Sequence, residues 1–439
     1  AAVLAVTIPC AVWLAPPAFA QDAGKERQPE PTPPPATEGK TAPEEKKAPA
    51  PPPKPVEASP DDVTQQLQQA KRKEAGFIER GPISLLGSRW LEFTQKLDES
   101  IGLDLGLAYT IVYQRATEAR DDRNAAGADF DFFGTWRLIG DEEGGNVGKL
   151  GFVTETRHSY TSIPPAELAL NIGSLWKTTD GFDTQKFSLI QLWWDQHLFN
   201  DHLQARVGKI DQGNLINTNR LKSDDLFFLN QAFSGNPALA FPGTGLGAAI
   251  SLVPADLLYI LATFSDANGD RETAGFDTFF DDAEYFTAVE VGLRPLFEKL
   301  WRGHYRFTFW HIDEREKAGV PSGKGFALSF DQEVTQSLMA LLRYGYGDDG
   351  GLEVRHILSG GVTVNDPFGS TDDLLGVAAA WGEPQDSSLR NQYTVEAFYR
   401  VQLTPNIQLT PGYQLIINPS ENRDDDVIGV FEIRLRLFF

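Results

Sequence analysis

Arginine and glutamate recur in this chain at positions that share one geometric property. In the final stretch, Val427, Phe431, Ile433, Leu435, Leu437 and Phe439 form an apolar row, with Glu432, Arg434 and Arg436 between them. A period of two puts the two rows on opposite faces of one strand. The same alternation upstream sets Arg137, Glu290, Arg306, Arg343, Glu396 and Arg400 on faces opposite apolar ones. Guanidinium forks donate to vicinal hydroxyls, carboxylates accept from them, and aromatic rings stack on sugar faces. Such a mixed-sign lining is wet and suits polar neutral solutes better than one ion class. The other reading is that these charges pair with one another and hold a shape; both stay open.

Arg206 has the most informative setting. Trp193-Trp194-Asp195 leads through a short turn to Ala205-Arg206-Val207-Gly208-Lys209-Ile210-Asp211. A long connection follows, with Asn214, Asn217, Asn219, Arg220 and Asn230 through Pro237. Connections of that length are usually functional, either folded inward as a constriction or closing the outer mouth. Trp193, Asp195, Arg206, Asn214 and Arg220 therefore join the candidate solute contacts.

Catalytic chemistry is not indicated. The histidines (His158, His197, His202, His304, His311 and His356) are scattered, and only His197 and His202 are close in sequence. Asp266-Ala267-Asn268-Gly269-Asp270 has the composition of turns, or at most of weak calcium contacts, without the spacing of a calcium loop. No enzyme, cofactor or metal set is expected.

These side chains need strands to position them. From Ile101 to the C-terminus the chain alternates apolar with small or polar residues in segments of the length a tilted membrane strand requires. Ile101–Gln114, Ile407–Ile417 and Val427–Phe439 are clean examples. Val147–His158 and Leu257–Phe264 are less clean, since both of their rows carry bulky apolar residues. The count is about sixteen, an even number as an antiparallel barrel requires. Tyr109, Tyr113, Trp136, Tyr285, Tyr305, Tyr344, Trp381, Tyr393, Tyr399 and Tyr413 fall on the apolar rows, where membrane barrels place interfacial girdles. A soluble sheet would leave the long apolar C-terminal strand as an edge that recruits other chains; closure removes that edge. The expected fold class is all-β, a transmembrane antiparallel β-barrel over 101–439. Val427–Phe439 should close it by pairing with Ile407–Ile417 and Ile101–Gln114.

The segments before the barrel read differently. Residues 1–20 are apolar and end in Ala18-Phe19-Ala20, the pattern of a secretory signal and its cleavage site. Cys10, the single cysteine, lies within them, so the mature chain would have no disulfide and no thiolate site. Residues 21–60 are rich in Pro, Ala, Glu and Lys and read as a disordered periplasmic tether with peptidoglycan or another periplasmic partner. Within 61–100 two short helices are expected. One follows Ser59-Pro60-Asp61-Asp62, with Ser59 as cap, and runs from Val63 to about Ala75. Val63, Leu67 and Ala70 could seed a homotrimer through 61–75, or the helix could be solvated and frayed. The second, Ile83 to Leu97, is amphipathic and suits the mouth of the barrel.

The formal net charge is −22. Much of it sits in the tether and in acidic connections around Asp121-Asp122, Asp141-Glu142-Glu143, Ser265 to Glu284, Asp348-Asp349 and Asp424-Asp425-Asp426. It argues against nucleic acid as a partner. In a bacterial outer membrane such loops would face lipopolysaccharide.

The run ARVGKID, then FFLNQAFSGNPALAFPGTGLGAAI and ATFSDANGD, with YRVQLTPNIQLTPGYQLIINPS near the end, resembles the OprB family of carbohydrate-selective porins over roughly Gly81 to Phe439. The resemblance implies a sixteen-strand outer-membrane barrel that passes mono- or oligosaccharides passively. It also implies that Phe439 is the terminal aromatic presented to the barrel-assembly machinery. The Pro-rich arm departs from the family's usual short N-terminus. The competing expectations are a general, ion-selective or organic-acid porin, and a structural barrel tethered to the cell wall.

Overall fold

The computed structural model describes residues 56, 59–72, 78, 81–140, 145–297, 302–369 and 372–439. The signal segment and nearly all of the tether read from the sequence lie outside these residues.

Two helices, α1 (Val63–Lys71) and α2 (Pro82–Ile101), precede the barrel. The strands begin with β1 (Leu103–Ala116), β2 (Asn124–Ile139), β3 (Val147–Ser159), β4 (Gln185–Leu198) and β5 (Leu203–Ile210). They continue with β6 (Gly245–Ala255), β7 (Leu258–Asp266), β8 (Tyr285–Leu293), β9 (Gly303–Ile312) and β10 (Gly323–Glu333). The rest are β11 (Leu338–Asp349), β12 (Val354–Asn365), β13 (Leu374–Pro384), β14 (Gln392–Thr404), β15 (Ile407–Ile417) and β16 (Val427–Phe438). Each pairs antiparallel with its sequence neighbours, and β16 returns to β1, so all sixteen close into one barrel. At the seam Arg436 lies opposite Thr110, Arg434 opposite Val112, and Glu432 opposite Gln114.

The period of two sets the two faces as expected. On β16, Phe431 and Ile433 are exposed on the outer face, while Glu432, Arg434 and Arg436 are buried on the inner one. Tyr113, Trp136 and Tyr393 are exposed on the same outer face. No helix among the described residues is long and apolar enough to cross a membrane, and this has no bearing on crossing by strands.

The element edges differ from the expected ones for local reasons. β1 starts at Leu103 because Ile101 belongs to α2, which Gly102 ends in the left-handed region (φ 74°). α1 is capped by Asp62, whose side chain accepts from the Thr64 amide, and not by Ser59. Ser59 instead bonds Lys222 and Asn214 of the long loop. The Asp141-Glu142-Glu143 connection joins β2 to β3, so strand alternation sets it at the end that carries both barrel termini. It is therefore not among the long loops of the opposite end; residues 141–144 themselves lie outside the described ones.

The interior departs further from a wet, charged lumen. The connection over 211–244 turns inward, and Leu221, Phe228, Ala232, Phe233 and Ala238 pack on Leu341, Ile357, Ala378 and Phe398 of the wall. Ile216, Leu239 and Ala240 pack likewise on Tyr259, Leu261, Phe286 and Trp310. This inner core accounts for the mixed rows of β7: Tyr259 and Leu261 face loop side chains instead of water. The apolar face of α1, read above as a trimer seam over 61–75, is also turned inward. Val63 and Leu67 are buried against Ala108, Phe133, Val153, Ile190, Trp193 and Ile210. Val63 and Leu67 of that seam are thus covered by the chain's own wall and not available to a coiled coil.

Candidate functional site

The lumen-facing charges are arranged around the two inserted segments, α1 and the 211–244 loop. Arg206 Nε and Nη2 donate to Asp195 at 2.7 and 2.9 Å, and its Nη1 donates to Asp62 at 2.8 Å. Its guanidinium lies over the Trp193 ring, 4.7 Å from the centroid, and Trp193 Nε1 donates to Asp195. These residues therefore hold the start of α1 to β4 and β5. Arg436 reaches α1 as well, donating to Gln66 at 3.2 Å, and pairs with Asp225 of the loop.

Other charges tether the loop. Glu396 accepts from the buried amides of Leu229 and Asn230 at 2.7 and 2.9 Å. Glu290 accepts from the Asn217 amide at 2.7 Å. Arg343 donates to Asn217 Oδ1 at 2.8 Å and to the Phe233 carbonyl at 3.1 Å. Arg400 donates to the Leu226 carbonyl, and Arg434 to that of Asp224. Arg220, itself in the loop, pairs with Asp331 and Glu333, and Arg306 donates to the same Asp331 at 3.0 Å. Arg137 stands apart at the end of β2, 3.9 Å from Asp98 of α2. Acceptors for loop amides and donors for loop carbonyls stabilise a connection that would otherwise leave buried backbone groups unpaired.

Between α1, the loop and the wall of β2–β4 lies a cavity of about 780 Å³. Of the candidate solute contacts chosen from the sequence, Asn214 alone lines it. Its other polar walls come from Asp129, Asp131, Glu155 and Arg157 of β2 and β3, Asp61 before α1, Asp180 and Asp183, Lys222, Asp224 and Asp225, and Arg271. Sequence reading passed over most of these. The available signal was an inward row with a charge at every second position: Asp129 and Asp131, then Glu155 and Arg157.

The cavity is electrostatically tense. Arg157 donates to Asp129 at 2.8 Å, Asp183 at 2.9 Å and Glu155 at 3.0 Å. Burial raises the Asp224 carboxyl to about 6, helped by neighbouring Asp225 and Asp180 and opposed by Arg157. Burial, together with Asp224 and Asp225, also holds Asp61 well above the usual carboxylate range. Burial and Arg343 bring the Lys222 ammonium down to about 8. Such shifts follow when like charges share a poorly hydrated site.

The acidic stretch Asp266–Asp270 forms turns, with Asp266 accepting from the Asn268 amide and Asp270 from those of Glu272 and Thr273. His197 contacts Asp201 and His202 contacts the Val253 carbonyl.

A closed sixteen-strand wall with an apolar outside, a charged inside and an inward-folded loop defines a porin-type transmembrane barrel. The model of the carbohydrate-selective porin family, OprB, matches residues 150–437, and the chain belongs to that family of outer-membrane transport channels. Two solved structures are similar in fold. The high-pH structure of Pseudomonas putida OprB is 15% identical, with 80% of this chain and 97% of that one covered at a TM-score of 0.65. The low-pH structure of the same protein is 14% identical, with 80% and 96% covered at 0.51. Among curated proteins, no sequence matches this chain.

Proposed function

We propose that this barrel passes mono- and oligosaccharides by passive diffusion, along the cavity between α1, the 211–244 loop and the β2–β4 wall. Membership of the carbohydrate-selective porin family carries this reading. The cavity supports it chemically: its lining offers carboxylate acceptors beside the Arg157 and Arg271 donors, a pairing that matches the donor and acceptor edges of a hydroxylated solute. In this reading Arg206, Trp193 and Asp195 hold α1. Glu290, Arg306, Arg343, Glu396, Arg400, Arg434 and Arg220 shape the loop, and Arg436 bridges both. Solute contact then falls to Asn214 and the newly found cavity residues, with Arg137 at the barrel rim.

The end bearing both termini faces the periplasm, where the Pro-rich arm is available to peptidoglycan or another periplasmic partner. The opposite acidic loops face lipopolysaccharide. Phe439, whose amide and carbonyl pair with Leu107 at 2.8 Å, is the terminal aromatic offered to the barrel-assembly machinery.

Liposome swelling with a graded series of sugars and size-matched polyols, amino acids and dicarboxylates tests the reading. Sugars should enter faster than other neutral solutes of equal size, and dicarboxylates slowest, because carboxylates dominate the lining. Rates that simply follow size would leave a general porin and sink the carbohydrate preference.

A further inference from the structure

We propose that Asp129, Asp131 and Glu155 form a binding site for a hard divalent cation, of the calcium type, in the wall of the cavity. The strand register builds the group. Asp129 and Asp131 are two apart on the inner face of β2, and Glu155 of β3 lies directly opposite Asp131. One carboxylate oxygen from each of the three lies within 4.8 Å of the other two. Calcium binds oxygen at roughly 2.4 Å, so the ligand oxygens of one ion stand no more than about 5 Å apart, a limit this group meets.

A second observation points to a missing partner. Asp129 is only 7% exposed, and its Oδ1 is buried with no hydrogen-bond partner, although its Oδ2 takes the Arg157 guanidinium. A buried carboxylate oxygen left without a donor is costly. Arg157 does not resolve this, because its single charge is divided among Asp129, Glu155 and Asp183. Arg271 reaches Oε1 of Glu155 at 3.4 Å. Asp225 lines the same cavity and adds negative charge. A divalent ion would satisfy Asp129 Oδ1 and complete its shell with cavity water. It would also cancel most of the local negative charge of the wall.

Calcium binding to the full-length purified protein, measured in detergent by equilibrium dialysis, tests the site without reference to transport. We expect one ion per barrel with an affinity of about 10⁻⁴–10⁻³ M, the range of extracellular calcium modules. Asp131→Asn and Glu155→Gln, each checked for the heat-modifiable mobility of a folded barrel, should each lower the affinity at least about tenfold. In planar bilayers of neutral lipid without lipopolysaccharide, added calcium should lower the cation preference of the wild-type pore and leave that of Asp131→Asn unchanged. Absence of calcium binding to the wild type, or equal binding by both folded variants, would overturn the site. So would a selectivity that responds to pH and not to calcium, which would identify a proton shared among the carboxylates. Neither binding result bears on whether sugars pass, so the two readings fail separately.

Discussion

At the residue scale, single lumen side chains decide how tightly the inserted segments are held. Asp224 is the clearest case, since it sits in the loop against Arg434 and shares the cavity with Asp61, Asp225, Asp180 and Arg157. Its carboxyl is raised from 3.8 to about 6. A raised acid favours the packed state while protonated: that contribution is complete below the unfolded value near 3.8 and is lost as pH rises through about 6. The loop against α1 should therefore be most compact in acid, and single-channel conductance should increase between pH 4 and 7 with a midpoint near 6. Asp224→Asn should abolish that step, and a midpoint that persists in this variant would assign it to another group.

At the scale of elements, α1 is a short helix inside the barrel, held by one apolar face and by a few polar contacts. Its apolar face is short, and Arg206 of the wall binds its N-cap Asp62, 144 positions away in sequence. Arg206→Ala would leave buried Asp62 and partly buried Asp195 without a counter-charge, a change of about 3 kcal/mol when a buried ion pair loses one member. The helix should leave the lumen, and conductance should rise while the barrel stays folded; Arg206→Lys should give a smaller effect, since Lys cannot fork between two carboxylates. Unchanged conductance in Arg206→Ala would show that α1 is held by its apolar face alone. The loop is more redundant: Glu290, Arg343, Glu396, Arg400 and Arg434 each contribute, so no single loss should free it.

At the scale of the whole molecule, closure is what makes an apolar exterior compatible with a stable protein, because every edge is paired and lipid covers the outer rows. Ile433 lies on the lipid side of the closing strand, half exposed, between Pro411 and Tyr113 of its neighbours. Ile433→Arg should cost about 2–4 kcal/mol near the bilayer midplane and reduce the yield of heat-modifiable barrel in outer membranes. Ile433→Leu, which keeps the outer row apolar, should be recovered at the wild-type yield. Equal yields would mean that the outer face does not meet hydrocarbon.

Much of this architecture was legible from residue order alone. The two-residue period on β1 and β16 fixes which rows face outward, and an apolar terminal strand demands a partner on its free side, so closure follows from local chemistry. That reasoning reaches only as far as one strand and its neighbours. It marked Arg206, Glu396 and Arg434 as inward, because inwardness is a local property. It did not show that they meet Asp62, the Leu229 amide and the Asp224 carbonyl, because those contacts depend on where two inserted segments settle inside a closed wall. The same limit hid the cavity acids: Asp129, Asp131 and Glu155 become one group only when β2 and β3 pair in a particular register. Sequence determined the barrel and its two faces, since alternation and hydrophobicity act between adjacent residues. Tertiary structure alone decided how the interior is filled, since packing, desolvation and charge pairing there join residues that the chain keeps far apart.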